Sequence, residues 1–176
     1  MNSNNFTSKF WLVTLMILAA AFTRLIPHPP NFTAVGAIAL FGGAYFSEKK
    51  FSFIVPMLAM LLSDLIIGFH NGMSSVYVSF VIIVGIGIML SRNIKFTNVV
   101  AASLLSSVIF FILTNFQMWI QSPLYAKNIS GLAACYVAAI PFFHHTVLSD
   151  LFFVGALFGL FAAIQIKFPK LAKIKA

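Results

Sequence analysis

The chain has 176 residues, of which 61% are hydrophobic and only 8% charged. A soluble domain carries about 25% charged residues, so this is an integral membrane protein with room for about six short-looped spans. The net charge of +8 fits basic loops that orient a chain in the bilayer rather than a nucleic-acid surface, and the single Cys135 excludes an intramolecular disulfide or a thiolate metal cluster. No GxxxxGK[ST] motif is present, so any energy for transport is supplied from elsewhere.

Taken in order, the first apolar run predicts a span over 10–26, with Lys9 before it and Arg24 in its last turn. Ala19–Ala21 also fits a signal-peptide cleavage site, but the apolar run continues past the alanines to Ile26. Pro27, Pro29 and Pro30 then end the helix and force an extended turn through Asn31. The second span, 33–46, is short and rich in small residues. The third, 51–69, contains Pro56 and carries Asp64 close to the polar break at His70, Asn71 and Gly72. The fourth covers 76–90, the fifth 96–116 and the sixth 146–166. Between the last two, Gln117 to His145 reads as an outer hairpin or short helix acting as a lid.

Charge parity sets the orientation. With six spans and both termini cytoplasmic, Lys9, Lys49, Lys50, Arg92, Lys95, Lys167, Lys170, Lys173 and Lys175 all fall inside and only Lys127 falls outside. A re-entrant second segment, or a seventh span within 131–143, would break this positive-inside bias. The same topology gathers Arg24, Asp64, Asn115 and Asp150 near the outer helix ends, and His28, His70, His144 and His145 in outer loops.

A carboxylate in hydrocarbon costs roughly 2.5–3.5 kcal/mol on insertion scales, so Asp64 and Asp150 are expected to be paired, to face a cavity or to be functional. Arg24 is the available cation, whether to lock helices or to meet a ligand. Asn115 and Trp119 share a helix face if the fifth helix continues, and with Tyr136 they offer an amide and two rings to a planar ligand. Trp119 fits an interfacial belt equally well. The four histidines raise a metal-binding or metal-dependent reading, although His144 and His145 are adjacent and diverge on a helix. Gly155 and Gly159 form a GxxxG pair, and Ala39 with Gly43 a similar one, suited to close helix approach.

The blocks PPNFTAVGAIALFGGAYF, SDLIIGFH, TNFQMW and GLAACYVAAIPFFHHTVLSDL resemble the signature blocks of a family of bacterial six-helix membrane proteins. That family looks related to the substrate-binding S components of energy-coupling factor (ECF) vitamin transporters. The resemblance implies an all-α fold of six transmembrane helices in the inner membrane. It also implies a vitamin-like substrate held between outer loops and helix ends, and a coupling subunit driven by two ATPases as partner. Some S components act without a dedicated motor and take up cobalamin, with a cysteine ligand to cobalt. Here Cys135 lies in the last outer segment rather than near helices three and four, and His28 or His70 would have to substitute.

The expectation is therefore a non-enzymatic uptake protein, with no cofactor of its own. Its outward pocket would be built from Arg24, His28, Asn31, Asp64, His70, Asn115, Trp119, Tyr136 and Asp150. The alternatives are a membrane-embedded metal-binding protein or metal-dependent enzyme using the histidines, and a structural membrane subunit.

Overall fold

The structure is a computed structural model and describes residues 3–69 and 71–169. His70 and the lysines at 170, 173 and 175 lie outside the described residues. The described residues are helical, without strands: α1 (Ser3–Phe22) with a 3-10 turn (Thr23–Leu25), α2 (Val35–Tyr45), α3 (Lys49–Ile67), α4 (Met73–Leu90), α5 (Phe96–Gln121) and α6 (Ile129–Lys167). Five of these helices are long and apolar enough to cross a membrane, and α2 is the short one.

Side-chain contacts show how the helices alternate. Phe10 stacks on Phe46 and Phe51 at 5.4 and 4.9 Å, joining the start of α1 to the end of α2 and the start of α3. At the opposite end Arg24, Asp64 and Tyr77 join the ends of α1 and α3 to the start of α4. The Ser75 N–H donates to Gln117 Oε1 at 2.6 Å, bringing α5 to that same end. We call the first the lysine end, because Lys49, Lys50, Arg92, Lys95 and Lys167 cluster in its turns, and the second the Asn31 end.

Polarity is inverted relative to a water-soluble bundle. Ser52, Ser63, Ser79, Ser103, Ser106, Ser107, Ser149, Asp64 and Asp150 are buried, while Leu15, Leu62, Ile66, Val78, Leu105, Phe152 and Leu160 are exposed. This is the arrangement a hydrocarbon solvent selects. Outward side chains need no polarity there, and inward polar groups find partners in the bundle. Many of the serines satisfy themselves by donating back one helical turn, as Ser79 Oγ does to Ser75 O at 2.7 Å and Ser106 Oγ to Ala102 O at 2.7 Å.

Helix α2 is the axis of the bundle. Every residue from Val35 to Tyr45 is buried. Its small residues permit this: a Cβ on Gly43 would collide with the Val84 carbonyl and stand 2.8 Å from Gly87 Cα. Helices α2 and α4 therefore touch backbone to backbone where Gly43 faces Gly87. Around this seam Phe41, Tyr45, Phe158 and Phe161 pack edge and face, with Tyr45 and Phe161 centroids 4.2 Å apart.

One expected element is corrected. The outer hairpin or short helix between the fifth and sixth spans does not exist as a separate element: Ile129–Lys167 is one helix of 39 residues running through Pro141. It starts at Asn128, whose side chain accepts from the Gly131 N–H at 2.9 Å, a standard amide N-cap. The proline does not break it because α5, itself extended to Gln121, supports it on both sides. Tyr136 and Phe143 both pack on Phe111, with centroids at 5.6 and 4.6 Å. At about 1.5 Å per residue α6 is about 58 Å long, nearly twice a hydrocarbon core of about 30 Å.

Candidate functional site

Two adjoining chambers open at the Asn31 end. The larger has a volume of about 590 Å³ and is walled by Asn31, Asn71, Ser75, Phe110, Phe111, Thr114, Asn115, Gln121, Phe142 and Thr146, among others. The smaller, of about 220 Å³, is lined by His28, Asn31, Thr33, Val35, Gly36, Phe110, Thr146 and Asp150. Asn31, Phe110 and Thr146 belong to both.

Local sequence explains how each wall is set. Asn31 has φ 61°, and the Phe32 N–H bonds to Pro29 O at 3.0 Å. Pro30 followed by a left-handed Asn is the residue pair a type II turn favours, and this turn sets Asn31 at the junction of the chambers. Thr114 Oγ1 and Asn115 Nδ2 donate to the carbonyls one turn earlier, Phe110 O and Phe111 O, at 2.7 and 2.8 Å. These bonds satisfy donors of both side chains within their own helix.

Asp150 closes the smaller chamber. It is 4% exposed. Its Oδ2 accepts from Ser107 Oγ on α5 at 2.6 Å, and its Oδ1 lies against the Cα of Gly36, where any side chain would clash. Ser149 Oγ donates to Thr33 O at 2.5 Å. Adjacent residues of α6 thus clamp the start of α2, and Gly36 is what lets the carboxylate lie flat on it.

The remaining site residues expected from sequence fall elsewhere. Arg24 and Asp64 are joined to each other, Nη2 to Oδ1, at 2.7 Å. Tyr77 donates to Asp64 Oδ2 at 2.7 Å, and Arg24 Nη1 also bonds Ser63 Oγ. This cluster lines neither chamber. Trp119 Nε1 donates to Ala126 O at 2.9 Å and Tyr136 Oη to Ile112 O at 2.7 Å. Both fasten the α5–α6 pair and line neither chamber. His28, Asn31, Asn115 and Asp150 are brought together around the chambers, and His70 is outside the described residues.

His144 and His145 do not diverge as adjacent helix positions suggest: their rings turn together, with centroids 4.1 Å apart. Cys135 Sγ approaches Asn115 O at 3.6 Å within the α5–α6 interface. Among the described residues no three His, Cys, Asp or Glu side chains converge as a metal-ligand set.

Sequence reading missed Ser75, Thr114, Gln121 and Thr146 as chamber walls. A signal was there for two of them. Thr146 precedes Asp150 by four residues, and Thr114 follows Phe110 by four, so each shares a helix face with a residue of the site.

A larger groove of about 960 Å³ opens at the lysine end between α5 and α6, with Tyr45 of α2 and the following Phe46 among its walls. Gly155 and Gly159 line it, and a Cβ on either would meet nothing within 4 Å. The GxxxG pair therefore packs no helix here, and Asp150 and Asp64 are not among the groove's walls.

Residues 4–171 match DUF6580, a family of unknown function, and the chain belongs to that family. No curated protein and no solved structure shows significant similarity to the chain.

Proposed function

Starting from a DUF6580 chain with a polar double chamber sunk among apolar helices, we propose that it binds a small solute for uptake across the bacterial inner membrane. The solute is vitamin-like, and the protein acts in the manner of a transporter S component. The observation that carries this reading is the chamber pair itself. A larger cavity of about 590 Å³ falls inside the range of about 300–1,000 Å³ that ligand pockets occupy. Its walls mix three phenylalanines with amides and hydroxyls, and a buried ionisable residue closes the adjoining chamber. Intramembrane ionisable groups beside cavities are the usual marks of a solute path.

In this reading six helices span the bilayer with both termini cytoplasmic. The positive-inside bias supports that orientation, since the lysine end carries the basic turns. The chambers then face outward, and the tips of α5 and α6 form one wall of the entrance. A coupling subunit with its ATPases is the partner the S-component reading requires. Arg24 takes no part in holding the solute, because Asp64 already occupies it.

Growth rescue tests the proposal. The chain is expressed in an auxotroph lacking its own vitamin uptake and supplied with a panel of vitamins at limiting concentration. One vitamin is expected to support growth. Ala139→Phe and Thr114→Phe, which fill the larger chamber, are expected to abolish rescue with the protein still in the membrane. Full rescue by both filled variants, or rescue by no vitamin, would overturn the reading.

A further inference from the structure

We infer that the solute carries an ammonium group and that Asp150 is its anchor. This rests on the solute-binding reading above and names the chemical class of that solute. A carboxylate removed from water is balanced by a cation or by a proton. Arg24 balances Asp64. For Asp150 no Lys, Arg or His nitrogen comes within 4.0 Å among the described residues, although the side chain is 4% exposed. It lines instead a chamber of about 220 Å³.

Two contacts fix the side chain in that place. Ser107 Oγ offers a hydrogen bond to Oδ2 at 2.6 Å. Oδ1 lies against Gly36, the second residue of α2, where the positive end of the helix dipole stabilises negative charge.

Asn31, Thr33 and Thr146 share the chamber wall with Asp150, and each has a side-chain oxygen able to accept; an ammonium group has three donors and no acceptor. His28 is the other titratable group on the wall, and its Nδ1 is turned to Pro29 O at 3.0 Å. The adjoining cavity brings Phe110, Phe111 and Phe142 next to this head site, and aromatic faces suit the apolar body of such a cation. Among the described residues no lysine or arginine lines either chamber, so an anionic solute would find no fixed charge there to meet.

The test uses the full chain purified in detergent micelles and titrated calorimetrically at constant ionic strength. The three probes share a phenyl ring on a two-carbon chain and differ in the head group: 2-phenylethylammonium, 2-phenylethanol and 3-phenylpropionate. The ammonium probe is expected to bind about tenfold tighter than the alcohol, the size of one charge-assisted hydrogen bond, and Asp150→Asn is expected to erase that preference. If Asp150→Asn does not fold, Thr146→Val should weaken the ammonium probe at least about threefold, as loss of one chamber acceptor, and leave the alcohol unchanged.

Equal binding of ammonium and alcohol, tighter binding of the carboxylate, or an ammonium preference that survives Asp150→Asn would each overturn the inference. So would stabilisation by NaCl over KCl that depends on Asp150 without an ammonium preference, which would assign the chamber to an inorganic cation. Probe binding that Ala139→Phe abolishes but that shows no charge preference would leave the solute-binding reading standing and remove this one. Binding by none of the three would overturn this inference and leave the solute-binding reading to the growth-rescue test.

Discussion

Arg24 and Asp64 meet at 2.7 Å between α1 and α3, with side chains only 10% and 2% exposed. Tyr77 from α4 completes the cluster by donating to Asp64 Oδ2, so one carboxylate ties three helices. Such a pair contributes little over an apolar replacement, whereas one charge left alone is expensive. Arg24→Met and Asp64→Leu are each expected to destabilise by about 3–5 kcal/mol when made alone. The double substitution Arg24→Met with Asp64→Leu should recover most of that loss. Thermal unfolding of the four proteins in detergent closes the cycle. Additive losses would show that the two side chains do not depend on each other.

The contact between α2 and α4 gives a paired prediction inside one helix. Gly87→Ala would drive a Cβ into the Leu40 carbonyl and to 2.9 Å from Gly43 Cα, while the same change at Gly85 meets nothing within 4 Å. Overpacking of this kind costs about 1–3 kcal/mol, and alanine is the better helix former elsewhere. Melting curves should show Gly87→Ala well below the parent and Gly85→Ala at or above it.

Pro141 lies within a helix that continues on both sides. An interior proline costs about 3 kcal/mol against alanine, and the packing of Tyr136 and Phe143 on Phe111 already offsets that cost. Pro141→Ala is therefore expected to raise the midpoint of thermal unfolding. A lower midpoint would mean that the proline's local geometry is needed for α6 to seat on α5.

Trp119 and Tyr136 make their polar contacts with backbone carbonyls. Trp119→Phe and Tyr136→Phe should each lose about 1 kcal/mol of stability, the net size of one hydrogen bond. Vitamin rescue and probe affinity should be unchanged. A selective loss of rescue in either variant, at normal stability, would return that ring to the binding surface.

These cases show what the sequence carries and what it hides. The proline run before Asn31, the small residues of α2 and the lone carboxylates are local signals. Each marks a place where the fold makes a turn or a helix contact, because turn chemistry, helix approach and the cost of buried charge act on a few adjacent residues. The partner of each carboxylate was less legible. Asp64 takes Arg24 and Tyr77, and Asp150 takes Ser107, through contacts between helices that no spacing along the chain encodes.

The continuity of the α5–α6 pair is hidden in the sequence for a physical reason. Pro141, Lys127 and the paired histidines are strong local breakers of an apolar pattern, and they hide a helix whose continuity comes from its neighbour. Trp119 and Tyr136 look like ligand-stacking rings in one dimension, and only the folded chain shows their polar atoms already engaged.

The complete enclosure of α2 bears on how the protein is made. An eleven-residue helix is too short to lodge in a bilayer unaided, and its glycines gain little until other backbones reach them. Membrane insertion of this segment must therefore wait on α3 and α4, which follow it out of the ribosome. During synthesis the chain passes through a stage in which the future axis of the bundle has no home. A pause or truncation before residue 90 should leave a nascent chain exposed to membrane quality control, whatever the strength of its first apolar segment.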